Sequence, residues 1–315
     1  MVKLKVLHES IVKPEEIDAL GHMNVKFYMT RVDQANRSLL AEIGVQETSD
    51  KLIRRLDTYT RFHREQFVGA TLHTLGGLVP VEGERGSKEL RGYFEIRNPT
   101  NNEIAASFIL RSCFVEVSSQ QVQDISLNAN SFERHRVSVP EYGMPRSLSL
   151  KEPNRTSLQE LEAVASDDPT PGMMSGRYES VVHIDDCDVN GRLREEIDLM
   201  FVLHRSIVID ENESAGPSIM YDSQGRRFSW AMIETRNLVW HRPMSGQVVL
   251  SIGADIAHGE KWRQSRRWMF DKKTGLLLGI SDSVGLCMDL DARKSIPMPD
   301  EIIETIKRSS LPQFH

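Results

Sequence analysis

Asp18, Gly21, His22 and Asn24 fall in one run, Asp18-Ala19-Leu20-Gly21-His22-Met23-Asn24, and Glu65 falls in a second, Phe62-His63-Arg64-Glu65-Gln66-Phe67-Val68-Gly69. A carboxylate can take a proton from water or attack a carbonyl carbon directly, and an imidazole can orient it or carry the proton. Gly21 permits backbone angles that other residues resist, and Asn24 is a good helix N-cap type. A helix starting there would present free N–H groups and a positive dipole end to a developing negative charge. The amides of Gly21, His22 and Met23 are then the candidate oxyanion donors, and a carboxylate beside them is a layout for hydrolysing an acyl bond. Each residue also has a plain reading. Asp18 could cap the helix, His22 could be a buried hydrogen-bonded histidine, Asn24 could serve only as a cap, and Tyr28 reads as core packing. Glu65 could position water from a facing strand or lie at a strand end on the surface.

The elements that must hold these residues can be read from periodicity. Val2 to Val12 reads as an extended segment. A helix is expected from about Asn24 to Ile43, with Tyr28, Val32, Ala35, Leu39 and Ile43 on its buried face and Gly44 as its stop. Lys26, Arg31, Asp33, Arg37 and Glu42 are expected to point away from that face. The period then changes to two. Strands are expected at 56–63 and 70–81, followed by a long antiparallel hairpin around the Asn98–Asn102 turn, in which Leu90, Gly92, Phe94 and Ile96 alternate with Arg91, Tyr93, Glu95 and Arg97, and Ile104, Ala106, Phe108 and Leu110 alternate with Glu103, Ala105, Ser107 and Ile109, one face buried and one partly wet. One long helix with a curling antiparallel sheet is an α+β arrangement.

The chain has 315 residues, which suggests about two domains. A net charge of -6 argues against general nucleic-acid binding. No apolar run is long enough to span a bilayer, and the start lacks an apolar signal core, so a cytoplasmic protein is expected. Cys113, Cys187 and Cys287 form no CxxC pair and read as free thiols. There is no Gly-x-Ser-x-Gly elbow, no P-loop, no dinucleotide glycine fingerprint and no zinc spacing.

The first half then recurs. Asp188-Val189-Asn190-Gly191-Arg192-Leu193-Arg194 has the spacing of the Asp18 run, with Asp188 in the place of Asp18 and Gly191 in that of Gly21. A helix is expected from about Arg194 to Ile209, with Glu195, Glu196 and Asp198 in its first turn. Alternation at Val248–Ile256 and a last strand to about Leu290 follow. Between the halves, 147–154 and 167–172 read as linker, and Ser157-Leu158-Gln159-Glu160 fits a capping box opening a short helix to about Ala165. The expected organisation is an N-terminal domain over 1–135, a linker with a short helix over 136–176 and a C-terminal domain over 177–315. The copies differ. Arg192 stands where the first has His22, Arg194 where it has Asn24, and Asp198 where it has Tyr28. Aligning Gly69 with Gly246 sets Arg242 opposite Glu65.

Asp-x-x-Gly-His-x-Asn-x-x-x-Tyr, the Leu40 to Gly44 helix end and the aromatic-x-x-Glu-x-x-x-Gly run at Phe62 resemble the hotdog-fold thioesterases of the 4-hydroxybenzoyl-CoA type. The resemblance is best over 8–116 and weaker over 177–305. It implies two fused hotdog domains, each a curled antiparallel sheet wrapped around one long helix. It also implies hydrolysis of an acyl-CoA thioester with no metal or organic cofactor. Asp18, Gly21, His22, Asn24 and Glu65 are the implied site residues, and the second copy is degenerate. Asp188-Val189-Asn190 is also similar to a motif of plant acyl-carrier-protein thioesterases, except that Arg192 replaces their histidine. Expected partners are an acyl-CoA substrate and, for the fused pseudo-dimer, a further copy of itself; neither nucleic acid nor membrane is expected. Arg61, Arg64, Lys88 and Arg91 are candidates to meet coenzyme A phosphates. Some relatives act on betainyl-CoA, and the four tryptophans, all in the second copy, could cage a quaternary ammonium or simply pack. The alternative from another class is a non-catalytic acyl-CoA-binding module, a sensor or carrier.

Overall fold

The computed structural model describes residues 4–18, 20–81, 88–125, 127, 129–164, 176–200 and 219–314. It is an α+β protein dominated by antiparallel sheet, and it divides into two compact units, Met1–Arg146 and Ser147–His315.

In the first unit β1 (Lys5–Ile11) leads through a 3₁₀ turn at Pro14–Glu16 to α1 (Lys26–Glu42). Strands β2 (Lys51–Phe62), β3 (Thr71–Val79), β4 (Glu89–Asn98) and β5 (Glu103–Glu116) follow, with a two-residue β6 (Val122–Gln123) and a short helix α2 (Ala129–His135). The order across the sheet is β1-β3-β4-β5-β2, all antiparallel neighbours. The predicted hairpin is present, with Gly92 opposite Leu110 and Phe94 opposite Phe108. Tyr28, Val32, Ala35 and Leu39 from α1 are buried against Leu72, Leu78, Phe94, Ile96, Ala106 and Phe108, so one sheet face carries the helix. The helix is shifted from its expected bounds. It starts two residues after Asn24, and Ile43 is its C-cap.

One expectation about α1 is overturned. Arg31 does not point away; it is 4% exposed. Burying a guanidinium is tolerable only with every donor matched. Its Nη1 and Nη2 reach both oxygens of Glu16, Nε donates to Ser10 Oγ, and the remaining donors meet the carbonyls of Ile11 and Phe27.

The Phe94 ring fits only because two neighbours lack side chains: a Cβ on Gly76 or Gly92 would run into it. Gly92→Ala is therefore expected to lower unfolding stability by about 1–3 kcal/mol, as overpacked cores do. Urea denaturation checks this, and an unchanged midpoint would mean that the ring has room to move.

The opposite face of this sheet carries buried polar groups that meet residues 142–144. Glu95, fully buried, accepts hydrogen bonds from Tyr93, Arg97 and Tyr142, and Arg61 donates to the carbonyls of Tyr142 and Met144.

In the second unit the Ser157–Glu160 capping box opens α3 (Leu158–Glu162) as read from the sequence. The strands are β7 (Gly176–Val181), β8 (Met220–Tyr221), β9 (Arg227–Val239), β10 (Val248–His258), β11 (Trp262–Asp271), β12 (Leu277–Asp289) and β13 (Lys294–Ser295). Their main order is β9-β12-β11-β10-β7. The run 147–151, expected as linker, is bound to β9: Glu234 accepts the amides of Ser147 and Leu148, and Arg236 donates to the carbonyls of Ser149, Leu150 and Lys151. The helix expected from Arg194 starts later. Residues 194–198 are irregular or turn and only Leu199 and Met200 are helical, with the Asp198 carboxylate accepting the Met200 amide; the remainder, 201–209, lies outside the described residues. A C-terminal helix α4 (Asp300–Ser309) was not anticipated, although Ile302, Ile303 and Ile306 stand at helical spacing and pack beside Phe228 and Cys287. No helix among the described residues is long and apolar enough to cross a membrane.

Candidate active site

The Asp18 run folds into a tight loop with a closed base. Ile17 and Met23 form a single antiparallel bridge, and the Asp18 amide donates to the His22 carbonyl at 3.0 Å. Gly21 donates back to the Asp18 carbonyl at 3.0 Å with φ +82°, an angle that a side chain would strain. The Asn24 amide donates to the Glu16 carbonyl at 2.8 Å, and the Met23 amide to the Gln66 carbonyl at 2.7 Å. The second contact ties this loop to the one that carries Glu65. Val25, not Asn24, is the N-cap residue; Asn24 stands one position earlier and makes the turn into the helix, its side-chain oxygen accepting the Lys26 amide at 3.1 Å and its carbonyl accepting that of Phe27.

Three side chains then come together as a row. His22 Nδ1 is 3.6 Å from Asp18 Oδ2, and His22 Nε2 is 3.5 Å from Glu65 Oε1. These are ion-pair distances, longer than tight hydrogen bonds. The Asp18 side chain is 7% exposed, that of His22 17% and that of Glu65 42%, so the row runs from a recessed carboxylate to an open one. Asp18 Oδ1 also accepts the Leu20 amide at 2.9 Å. Of the two readings for Glu65, a facing strand or a strand end, the structure is nearer the second: it lies just past the end of β2, in the connection to β3. That placement lets it reach back to His22. Tyr28 is core, buried edge-on against Phe62, with its hydroxyl 3.5 Å from the Arg64 carbonyl. Burial, and then the charge of Glu65, pushes that hydroxyl far above the ordinary tyrosine range, so it stays neutral.

The expected oxyanion donors are reduced. The amides of Gly21 and Met23 are engaged within the loops, and those of Lys26, Phe27 and Tyr28 are held by Asn24 and Val25. Among the described residues only the His22 amide, of the three expected donors, has no acceptor.

The second copy repeats the scaffold bond for bond. Asp188 donates to the Arg192 carbonyl, Gly191 to that of Asp188, Arg194 to that of Asp186, Leu193 to that of Pro243 and Gly246 to that of Val182. The first three match the bonds from Asp18 to His22, from Gly21 to Asp18 and from Asn24 to Glu16, and Pro243 and Gly246 take the places of Gln66 and Gly69. The chemistry is not repeated. The Arg192 amide is taken by Asp188 Oδ1 at 3.0 Å. Arg242, in place of Glu65, is buried and donates to the carbonyls of Arg194, Glu195 and Ile197. It binds the turn that follows the motif, in the place of Asn24 to Phe27 in the first copy.

Other candidates separate. Arg61 is engaged with residues 142–144, whereas Arg64 is largely exposed beside Glu65. Lys88 is exposed and Arg91 lies in β4, opposite Arg111. Arg155, Arg263 and Arg266 lie over the rings of Trp240, Trp230 and Trp268, and Trp268 is fully buried.

Residues 12–140 match the sequence model of the thioesterase-like superfamily. Among solved structures, the chain is similar to a 12:0-ACP thioesterase from Umbellularia californica, with TM-score 0.62 and 10% identity over 89% of this chain and 93% of that one. It is also similar to an acyl-ACP thioesterase from Bacteroides thetaiotaomicron, with TM-score 0.58 and 7% identity over 88% and 96%. At these identities the likeness is one of fold. No curated protein matches the chain. The resemblance to hotdog thioesterases read from the first copy's motif stands.

Sequence reasoning missed Arg31, Glu16 and Gln66, which hold the site loop. Arg31 lies three residues after Tyr28 and four before Ala35, on the border of the apolar stripe, which was the available signal.

Proposed function

We propose that the protein hydrolyses an acyl-CoA thioester to the free acid and coenzyme A, at a single site built on the first of two fused hotdog domains. The observation that carries this reading is the His22 imidazole between Asp18 and Glu65. Asp18 has one oxygen on an amide and the other toward His22. That arrangement suits a group accepting a proton better than one attacking carbon. Water approaching from the open, Glu65 side attacks the thioester carbonyl and passes its proton into the row, the His22 amide faces the developing oxyanion, and the thiolate leaves. Asp188 would cap its loop without catalysing, because Arg192 and Arg242 replace the imidazole and the second carboxylate.

A second reading has one observation in its favour. Asp18 and Asp188 both accept amides two residues ahead, a turn-capping role that needs no chemistry. On that reading the protein binds an acyl-CoA as a sensor or carrier. Thiol release from acetyl-, hexanoyl-, benzoyl- and betainyl-CoA, and from the hexanoyl ester of acyl carrier protein, separates the possibilities. Turnover of coenzyme A esters supports the proposal; turnover of the carrier-protein ester alone changes the substrate class; binding with no release supports the sensor.

Arg64, largely exposed next to Glu65 in sequence and 4.0 Å from Glu103, is the basic residue we assign to the coenzyme A tail. Arg64→Ala is expected to raise KM for the best panel ester about fivefold with kcat unchanged, the effect of about 1 kcal/mol from one exposed charge contact. Steady-state kinetics checks it, and an unchanged KM would move the phosphate contact elsewhere.

A further inference from the structure

We propose that Arg31 is a positioning residue for the reaction: through Glu16 it fixes the loop that sets Asp18 and His22 against Glu65. The inference rests on the hydrolase reading above. Glu16 is the last residue of the 3₁₀ turn, two positions before Asp18. Its carbonyl holds the Asn24 amide at 2.8 Å, and its Oε2 accepts the Lys13 amide at 3.0 Å. The loop from Ile17 to Asn24 therefore hangs from Glu16 at one end and from the start of α1 at the other. Arg31 grips Glu16 with two nitrogens, at 3.2 and 2.6 Å, and grips β1 through Ser10 and Ile11. A two-pronged guanidinium contact fixes direction as well as distance. Burial alone would raise the Glu16 carboxyl, but the Arg31 contact holds it below its ordinary value, so it stays charged.

The two copies supply the comparison. Both use the carbonyl at the Glu16 position, Asp186 in the second, to hold the amide at the Asn24 position, Arg194 in the second. That bond needs no side chain. In the first copy the Arg31 guanidinium adds a side-chain clamp to this shared backbone bond, on the loop that carries Asp18 and His22.

The test uses the full chain and two variants, Arg31→Lys and the double variant Arg31→Met/Glu16→Met. Lys keeps the charge but not the fork. The double change removes the pair together, which leaves no orphaned buried charge and is far milder for folding than removing one partner. Kinetics on the panel ester that the wild type turns over fastest are compared well below each variant's own Tm. The expected result is a tenfold to hundredfold fall in kcat with KM within about threefold, because a displacement of about 1 Å at the reacting groups costs rate rather than binding. Folded variants that keep kcat within threefold of wild type overturn the inference. If the double variant does not fold, Arg31→Lys decides by the same criterion. A wild type with no turnover on any ester sinks the hydrolase reading instead, so the two failures are distinct.

Discussion

Asp18→Asn should lower kcat by about a thousandfold or more, while Asp188→Asn should leave it within about threefold. The substitution is chosen for what it preserves. Asparagine keeps the side-chain oxygen that accepts the Leu20 amide, so the turn survives and Tm should scarcely move. What disappears is the negative charge facing His22 at 3.6 Å and with it the ability to take a proton. Asp188 caps its own loop through the amides of Asn190 and Arg192, and asparagine can do the same. Equal losses from both substitutions would mean two working sites. A loss confined to Asp188→Asn would reverse the assignment of the copies.

The second large effect is expected from His22→Ala, which should lower kcat by about a hundredfold or more. Removing the ring separates Asp18 from Glu65, because each is placed against a different nitrogen of it. A proton taken from water at the open carboxylate then has no path to the recessed one. His22→Gln restores a polar side chain of similar reach without a titratable nitrogen, so its kcat should stay low if proton transfer matters and recover if the ring only fills space. Recovery in His22→Gln, measured beside an unchanged Tm, would reduce His22 to a packing residue.

Much of the first unit was legible because its patterns are local. The stripe of Tyr28, Val32, Ala35 and Leu39 fixed the helix face, and the alternation through Leu90–Ile96 and Ile104–Leu110 fixed the hairpin and its buried side. The repeat of the Asp18 run at Asp188 was visible as spacing and reappears as matching hydrogen bonds. What failed were inferences about groups whose partners are distant in sequence. Arg31 looked solvent-facing because its carboxylate partner lies 15 residues back, in a turn the period does not reveal. For Glu65 the spacing allows a facing strand or a strand end; β2 stops at Phe62, and the connection that follows brings the carboxylate to His22. The second helix was expected too early because acidic residues suggested a first turn, whereas Arg242 binds the carbonyls of Arg194, Glu195 and Ile197 and holds that stretch out of the helix. Long charged side chains carry no periodic signal, and such residues decide where loops end.

The central claim is that a thioester bound by this protein is broken. It is tested most directly by mixing the wild type with a tenfold excess of the panel ester it binds most tightly and following free thiol and free acid together. The account predicts both products in equal amounts, in excess over enzyme, until the ester is consumed. An ester that stays intact while bound would contradict it.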